Sequence, residues 1–347
     1  MTNYDIFDEQ YYLSQYPWLK PALDAGIIKS GREHFEKFGQ AGGLTAVSRY
    51  FDEQTYLAQN PDIVPSIRNS SNPNAPFASG LDHFIQFGYE EGRTRVSPDY
   101  DQAFYVANNR DLLPFIQNGT FKNGYQHFIK FGIKDGLFAT SFSEPDYFTG
   151  DIRSLVNSGV FKTGREHYLK LGQFDPNRTA TFVGTSGNDI VTGFGAGNTR
   201  LIGVEVGRSV PNVLTSGIFT VYESKGDNEF DTLIGGTGQD EFLLGTTTPM
   251  GIRSALVNIE VFYNGPGFAT IQNFTQGQDS IRLGGYLDWY ILSPINNNLD
   301  LQIQTKFSDS SSGAIVLDTI AVIKGGGNLN LNRLPESLNS FSYFLLG

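Results

Sequence analysis

The chain has 347 residues, enough for two or three domains with hydrophobic cores. It contains 40 glycines, 28 phenylalanines, 17 tyrosines and no cysteine, which excludes a disordered chain, a disulfide scaffold and a cysteine-ligated metal site. Its 25 basic and 36 acidic residues give a net charge of −11, which argues against nucleic acid or an anionic membrane as the main partner. There is no apolar run long enough for a membrane span and no basic, apolar leader, so we expect neither membrane insertion nor a cleaved signal peptide.

The first half of the chain is repetitive. Residues 1–178 hold all four histidines and 17 of the 28 phenylalanines, whereas residues 179–347 are rich in glycine, asparagine and β-branched residues. Four segments of the first half place a histidine and aromatic residues between two glycines, and such self-similarity indicates a repeat architecture. The segments are Gly31–Gly39, Gly80–Gly88, Gly124–Gly132 and Gly164–Gly172, and they give copies at about 5–46, 47–97, 98–139 and 140–178.

Each copy predicts about three short helices. A residue that favours helix N-termini precedes each segment, and an acidic or amide residue follows it three positions later, as in a capping box. The last glycine of each segment is expected to end the helix in the left-handed conformation. We expect the copies to stack in line, because one copy alone could not bury its aromatic face. The predicted N-caps are Ser30, Ser79, Asn123 and Thr163, and the predicted C-caps are Gly39, Gly88, Gly132 and Gly172.

One histidine lies in each copy: His34, His83, His127 and His167. Imidazole is a common ligand, so the four could form a metal or haem site. The alternative is a structural role, in which each half-buried ring hydrogen-bonds to the neighbouring copy. Intervals of 49, 44 and 40 residues would separate the rings in a linear array, and no second ligand recurs at a fixed distance from them. We therefore favour the structural role.

Glycines and aspartates recur together in the second half. Residues 184–192, 226–234 and 235–243 each carry an aspartate at the sixth position, and the last matches the nonapeptide G-G-x-G-x-D-x-U-x throughout. Glycines permit tight turns with carbonyls facing inward, and aspartate adds the hard oxygen ligand that Ca²⁺ prefers. A short strand follows each turn. The central residues of these strands, expected in the core, are Val191, Leu233 and Phe242.

With these turns the second half resembles the hemolysin-type calcium-binding (RTX) family. Residues 270–283 are similar to the I-x-x-F-x-x-G-x-D-x-I-x-L segment that closes the roll in many members. The aromatic repeats and residues 299–323 are similar to regions of cyanobacterial members. We therefore expect an α+β multidomain protein. Its predicted parts are four helical repeats at 1–178, a short RTX-like parallel β-roll at 179–245 with an insertion at 202–225, and a β-rich capping and secretion domain at 246–347.

The resemblance implies Ca²⁺ as the cofactor, bound between successive turns on one edge of the roll. If the insertion preserves the alternation of turns, Asp189 neighbours Asp231 on one edge and Asn198 neighbours Asp240 on the other. At most about two ions are then expected, and the first edge carries the greater charge. The alternative is a degenerate roll whose turns are held by hydrogen bonds without metal. The predicted ligands are the side chains of Asp189, Asp231, Asp240, Asn198 and Asp227 and the backbone carbonyls of Gly184, Gly187, Gly235, Gly236 and Gly238.

No catalytic motif stands out, since His-Glu-x-x-His and Gly-x-Ser-x-Gly are absent, and we do not expect an enzyme. The sequence favours a non-catalytic, secreted calcium-binding structural protein. It would be a subunit of an extracellular filament, sheath or surface layer that self-associates with Ca²⁺ into a homo-oligomer or polymer. Two alternatives stay open: a monomeric cell-surface adhesin for cell-envelope polysaccharide, and an intracellular scaffold of a pigment or shell complex. The resemblance implies type I secretion with an uncleaved C-terminal signal, for which residues 340–347 are a candidate.

Overall fold

The protein is α+β: in the computed structural model, helices fill the first half and β-strands the second. The chain divides into two compact units. The helical unit comprises Met1–Thr140 and Tyr147–His167, and the sheet unit comprises Ser141–Asp146 and Tyr168–Gly347. No helix among the described residues has both the length and the apolar character needed to cross a bilayer. The structure describes residues 2–207, 210–212, 217–219, 221–249, 257–308, 315–331 and 344–346.

Short helices build each repeat, in line with the prediction. The four copies each open with a helix, continue through a second helical segment, and end on the helix that carries the histidine. In the first three copies this last helix passes into a five-residue π-helical segment, at Phe35–Gly39, Phe84–Gly88 and Phe128–Gly132. The α-helices are α1 Glu9–Gln15, α2 Lys20–Asp24, α3 Gly31–His34, α4 Glu53–Gln59, α5 Gly80–His83, α6 Tyr89–Glu91, α7 Gln102–Ala107, α8 Leu113–Gln117, α9 Gly124–His127, α10 Ile133–Asp135, α11 Glu144–Tyr147, α12 Gly150–Asn157 and α13 Gly164–Lys170.

The predicted N-caps of the histidine helices are confirmed. In every copy the capping side chain accepts a hydrogen bond of 3.0 Å from the backbone N–H three residues later. This bond satisfies one of the N–H groups that a helix start leaves without an intrahelical partner. The caps are Ser30, Ser79, Asn123 and Thr163.

The predicted left-handed glycines are wrong. Gly39, Gly88 and Gly132 close the π-helical segments, and the chain stays helical beyond them; neither they nor Gly172 adopts a positive φ. In the first three copies glycine is required for space instead, because a Cβ would overlap the hydroxyl of a buried tyrosine of the same copy. The left-handed residue comes four positions later, at Gly92 in the second copy, with φ 80°.

The four copies close on one another, which corrects the expected linear stack. The first contacts the second through Gln40, whose Nε2 donates to Asp82 Oδ1 over 2.8 Å. The fourth copy returns to the first two. Gln15 of the first copy donates from Nε2 to Gly159 O over 2.8 Å, and Arg49 of the second donates to Val156 O over 2.8 Å. The helical unit is therefore a closed cluster rather than an open rod.

Seven short strands alternate between two sheets in the sheet unit. In chain order, β1, β3, β7 and β11 lie in one sheet and β2, β6 and β10 in the other, all paired in parallel. A hairpin-linked set, β12 to β14, extends the second sheet beside β10, and β15 pairs with β11. The strands are β1 Thr179–Gly184, β2 Ile190–Thr192, β3 Asn198–Glu205, β4 Val210–Asn212, β5 Gly217–Phe219, β6 Phe230–Ile234, β7 Asp240–Leu243, β8 Gly245–Pro249, β9 Val257–Val261, β10 Phe268–Gln272, β11 Ser280–Leu283, β12 Tyr290–Ile295, β13 Asp300–Ser308, β14 Ile315–Ile323 and β15 Phe344–Leu346.

The core of the sheet unit follows the predicted pattern, because Val191, Leu233 and Phe242 are all at most 2% exposed. Parallel strands that bury one face stack equivalent residues, and here Val191 lies in register with Leu233. The predicted roll at 179–245 and the predicted cap from 246 onward fall in one compact unit, since β10 and β11 continue the same two sheets. The proposed export signal at 340–347 lies outside the described residues apart from 344–346.

Candidate functional site

Turns stack along both edges where the chain passes between the two sheets. The turns that lead into β2 and β6, residues 184–189 and 226–231, form one row, here called the Asp231 row. Those that lead into β3, β7 and β11, residues 193–199, 235–240 and 273–279, form the other, called the Asp240 row. The insertion between β3 and β6 thus preserves the alternation, as expected.

In the Asp231 row the two predicted aspartates are neighbours, as expected. The Asp189 N–H donates to Asp231 Oδ1 over 2.8 Å, and the Tyr263 hydroxyl donates to Asp231 Oδ2 over 2.6 Å. The N–H and hydroxyl of Thr185 both donate to Asp189 Oδ2, over 2.7 and 2.8 Å. Both Asp231 oxygens are therefore already bonded by the protein itself. This pattern matches the metal-free alternative for these turns.

A third carboxyl group, that of Glu229, adds charge to this row. Burial, with lesser repulsion from Asp231 and Asp189, raises the pKa of Glu229 to about 7. Burial likewise raises the pKa of Asp231 to about 6, against the hydrogen bond from Tyr263. Asp227, by contrast, is exposed.

The Asp240 row brings together Thr199, Asp240 and Asp279. The Thr199 hydroxyl donates to Asp240 Oδ1, and the Asp240 N–H donates to Asp279 Oδ1 over 3.0 Å. Both carboxylates are at most 3% exposed. Asp279 was not among the predicted ligands, although it is the aspartate of the closing segment. The register of β7 with β11 aligns it with Asp240.

The predicted contact of Asn198 with Asp240 is wrong. Thr199, not Asn198, pairs with Asp240, and the Asn198 amide donates to Pro176 O over 2.8 Å instead. The reason is turn length. The turn from Thr192 to Thr199 is one residue longer than the turn from Ile234 to Asp240, whose ends lie in register with it. The extra residue shifts asparagine out of the aspartate position.

One oxygen of Asp240 stands out in this row. In the flanking turn the Thr275 N–H donates to Asp279 Oδ2 over 2.7 Å. The equivalent donor beside Asp240 is the Gly236 N–H, which is near enough to help lower the pKa of Asp240. It does not form a hydrogen bond of normal geometry, so Asp240 Oδ2 is buried with no hydrogen-bond partner among the described residues. Burial outweighs that contact and raises the pKa of Asp240 to about 6. A buried acceptor without a donor requires an explanation such as an ion or water.

The predicted backbone ligands divide between the two rows. Gly184 and Gly187 lie in the Asp231 row, where the Gly184 Cα packs against the Gly203 carbonyl. In the Asp240 row, the carbonyls of Gly235 and Gly238 accept from the side-chain amides of Asn273 and Gln278. A Cβ on Gly235 would lie 2.7 Å from Asp240 Oδ2, so glycine keeps this space open. The remaining predicted carbonyl ligand, that of Gly236, lies in the same turn as Asp240.

A site closed by side chains alone is not formed. Among the described residues, no three His, Asp or Glu side chains converge closely enough to hold a metal ion. A cation in the Asp240 row would therefore need backbone carbonyls beside its carboxylates, as Ca²⁺ commonly uses. The Asp240 row fits such an ion because it has an unpaired buried carboxylate oxygen. The Asp231 row, predicted as the better-charged edge, fits less well because its oxygens are bonded.

The four histidines make one repeated contact. Nδ1 of each imidazole lies 2.8 or 2.9 Å from a tyrosine hydroxyl. The partner belongs to the same copy, not to the neighbouring copy as predicted. The pairs are Tyr12–His34, Tyr56–His83, Tyr105–His127 and Tyr147–His167.

Comparisons with known proteins give little further information. No family model matches the chain. No curated protein matches it either. A solved structure, a subunit of the mannuronan C5-epimerase of Azotobacter vinelandii, is similar at 18% identity and a TM-score of 0.22. The match covers 42% of this chain and 66% of that one, and at this TM-score it carries no weight in the assignment.

Proposed function

We propose that the chain is a non-catalytic, calcium-binding structural protein whose sheet unit is an RTX-type roll that takes up Ca²⁺ in the Asp240 row. The observation that carries this proposal is Asp240 Oδ2, which is buried without a hydrogen-bond partner among the described residues. An unpaired buried carboxylate oxygen costs several kilocalories unless it is protonated or bound to a cation. Ca²⁺ accepts such oxygens together with backbone carbonyls.

Asp240 and Asp279 would hold the ion with carbonyls of the turn that contains Gly236. The bound ion would supply the positive charge that the row lacks. Thr199 and the backbone N–H groups orient the two carboxylates, since they bond Asp240 Oδ1 and both oxygens of Asp279. The Asp231 row would need no ion, because Tyr263 and Thr185 supply its donors.

Calcium binding of this kind makes folding conditional. Glycine-rich turns lose much conformational entropy on ordering, and a ligand that binds only the folded state adds its binding free energy to stability. Sites of extracellular grade bind with Kd of about 10⁻⁴–10⁻³ M, so the sheet unit would become rigid after export. We propose secretion by a type I route and self-association of the folded chains on this basis.

The test is a calcium titration of the full chain. The chain has two tryptophans, Trp18 in the helical unit and Trp289 in the sheet unit, so Trp18→Phe leaves fluorescence that reports on the sheet unit alone. We expect saturating Ca²⁺ to stabilise this unit by about 2.7 kcal/mol at a hundredfold excess over Kd. Asp240→Asn should abolish that gain, whereas Asp288→Asn, at an exposed position of a short 3₁₀ helix, should retain it.

An equal response to Ca²⁺ in wild type and Asp240→Asn would overturn the proposed site, and no response in wild type would overturn the calcium role. Assembly is tested separately. Sedimentation velocity and electron microscopy in millimolar Ca²⁺ or in chelator should show calcium-dependent oligomers, and monomers under both conditions would count against a building block. Fractionation of cells and medium separates the secreted protein from an intracellular scaffold.

A further inference from the structure

In the first three helical copies, the aromatic side chain four residues after the histidine faces solvent. Phe38, Phe87 and Phe131 are 60, 49 and 48% exposed. Their rings lie 5.8, 6.1 and 5.5 Å from the imidazole of the same copy. Large aromatic side chains that stay exposed at equivalent positions of a repeat indicate a ligand-binding or interaction surface.

The local backbone holds each of these rings in place. Each phenylalanine lies in a π-helical segment, a geometry that is rare and often occurs at functional sites. The glycine that ends each segment lies against the buried tyrosine hydroxyl. That tyrosine in turn bonds Nδ1 of the histidine, so the imidazole and the backbone next to the aromatic residue pack against the same hydroxyl.

The other nitrogen of each imidazole, Nε2, is the one that could meet a ligand. Nε2 of His34, His83 and His127 has no hydrogen bond within the described part of the chain, and it is not among the buried atoms that lack a partner. An edge of each imidazole therefore reaches the surface, although His34 and His83 as whole residues are only 9 and 6% exposed. Burial lowers the pKa of all three imidazoles, although nearby carboxylates partly oppose this at His83 and His127. A neutral imidazole with Nδ1 fixed offers one directed hydrogen bond.

A second aromatic ring packs edge-on against each imidazole. Trp18, Phe77 and Phe121 lie 5.4, 4.9 and 5.3 Å from the three histidines. Trp18 is itself 59% exposed. In the second and third copies, Asp62 and Asp111 take the sequence position of Trp18, and each is close enough to act on the histidine charge. The Asp62 carboxylate is itself paired with Arg93, over 2.7 Å. Each copy thus combines an exposed aromatic face with a neutral polar edge, and two copies add a carboxylate.

We propose that these three surfaces, His34–Phe38, His83–Phe87 and His127–Phe131, are equivalent binding sites for a neutral polysaccharide of flat, equatorially substituted pyranose units. The C–H face of such a sugar meets the electron-rich face of the aromatic ring. Its hydroxyl rim meets the imidazole and the carboxylate. The net charge of −11 disfavours a polyanion.

Repetition favours a polymer over a small ligand. Three copies of one site lie on one compact unit, and a ligand that repeats its own unit can engage more than one of them at a high effective concentration. A second copy of this chain would instead need a continuous apolar patch. Here polar residues of the same helical segments, Lys37, Gln86 and Lys130, accompany the rings. The inference does not depend on the calcium proposal, because no proposed calcium ligand lies in the helical unit.

The test uses hydroxyethyl cellulose as the probe and the fluorescence of Trp18 in a Trp289→Phe background as the signal. We expect a saturable change in Trp18 emission, and affinity electrophoresis should show retardation. Phe131→Ala should weaken binding about tenfold, and the triple variant Phe38→Ala, Phe87→Ala, Phe131→Ala should abolish it. The matched control is Phe115→Ala, a residue of the same copy that is also 48% exposed but contacts no histidine ring in the described chain.

Circular dichroism first establishes that each variant is folded, and every measurement is made both with Ca²⁺ and in chelator. Binding in both conditions supports the assignment to the helical unit. The proposal is overturned if wild type binds no neutral polysaccharide, if Phe115→Ala weakens binding as much as Phe131→Ala, or if chelator abolishes binding. It is also overturned if sedimentation shows that Phe131→Ala dissociates an oligomer while the polysaccharide has no effect, since a second copy would then occupy the surface.

Discussion

The two units are both built from repeats, but they treat buried polar groups differently. In the helical unit every histidine has a tyrosine partner within its own copy, and every histidine helix has a capping side chain. In the sheet unit, burial raises the pKa values of Glu229, Asp231 and Asp240 to about 6 or 7. The helical unit supplies partners for its histidines and its helix starts from within each copy, whereas the sheet unit buries a group of carboxyls whose negative charge calls for an external partner. The comparison teaches that repetition alone does not determine whether a fold is self-sufficient.

The largest expected effect comes from Gly88→Ala. The new Cβ would overlap the Tyr56 hydroxyl and contact Phe84, and overpacking of this kind destabilises by about 3 kcal/mol. This loss of stability is measured by guanidinium unfolding in a Trp289→Phe background, in which the emission of Trp18 reports on the helical unit. Gly150→Ala is the control in the same unit, since its Cβ would meet nothing within 4 Å; it should change stability by less than about 0.5 kcal/mol. Equal effects of the two substitutions would contradict the packing role of Gly88.

The next largest effect is a pH dependence of opposite sign for the buried carboxyls of the sheet unit and the histidines of the helical unit, measured in chelator. In the sheet unit, the unfolded chain ionises its carboxyls near pH 4, while the folded-state pKa values are about 7 for Glu229 and about 6 for Asp231 and Asp240. The stability present at low pH is therefore lost as pH rises from about 4 to 7. Each pKa unit corresponds to about 1.4 kcal/mol, so the loss should be at least about 2 kcal/mol.

In the helical unit, the histidine contribution runs the other way. Burial lowers the pKa of His34, His83 and His127, so below about pH 6.5 the unfolded chain takes up protons that the folded unit does not. This part of the stability falls as pH falls. Unfolding followed by Trp289 and by Trp18 separates the two trends, and imidazole titration by NMR isolates the histidine share. If the carboxyl and imidazole contributions to stability changed in the same direction with pH, the contrast between the two units would be wrong.

A smaller effect distinguishes two buried tyrosine hydroxyls. Tyr263→Phe removes a donor from the Asp231 carboxylate, and hydrogen bonds to charged groups contribute about 2 kcal/mol. Tyr56→Phe removes the partner of the neutral His83 imidazole and should cost about 1 kcal/mol. Chemical denaturation with the unit-specific tryptophans measures both. A larger loss for Tyr56→Phe would mean that the helical unit relies on its polar contacts more than the sheet unit does.

Local signals in the sequence were sufficient to predict where the helices start but not to predict the role of the glycines. A cap is a contact between residues three positions apart, so Ser30 and its equivalents could be predicted from spacing. Gly88 is the residue type that commonly ends a helix as a C-cap. Its role here is to leave space for the hydroxyl of Tyr56, which lies 32 residues earlier. Closure of the four copies depends on contacts such as Arg49 with Val156, for which the sequence contains no periodic signal.

The candidate site was predictable only where turn lengths are regular. Asp189 and Asp231 met because the insertion between their turns left the alternation intact. Asn198 missed Asp240 because a single extra residue shifts the register. Asp279 could have been found by treating the closing segment as one more turn. Tyr263 could not, since a positive φ of 59° and a long separation bring its hydroxyl to Asp231.

The closure of the helical copies has a consequence for how such a chain can change in length. A closed cluster has a set number of members: deleting or duplicating one copy would remove the contacts by which the fourth copy reaches the first two. The parallel strands of the sheet unit have no such restriction, because each added pair of strands repeats the same register with the pair before it. Gene duplication is therefore expected to add parallel strands to the sheet unit and to leave the number of helical copies at four.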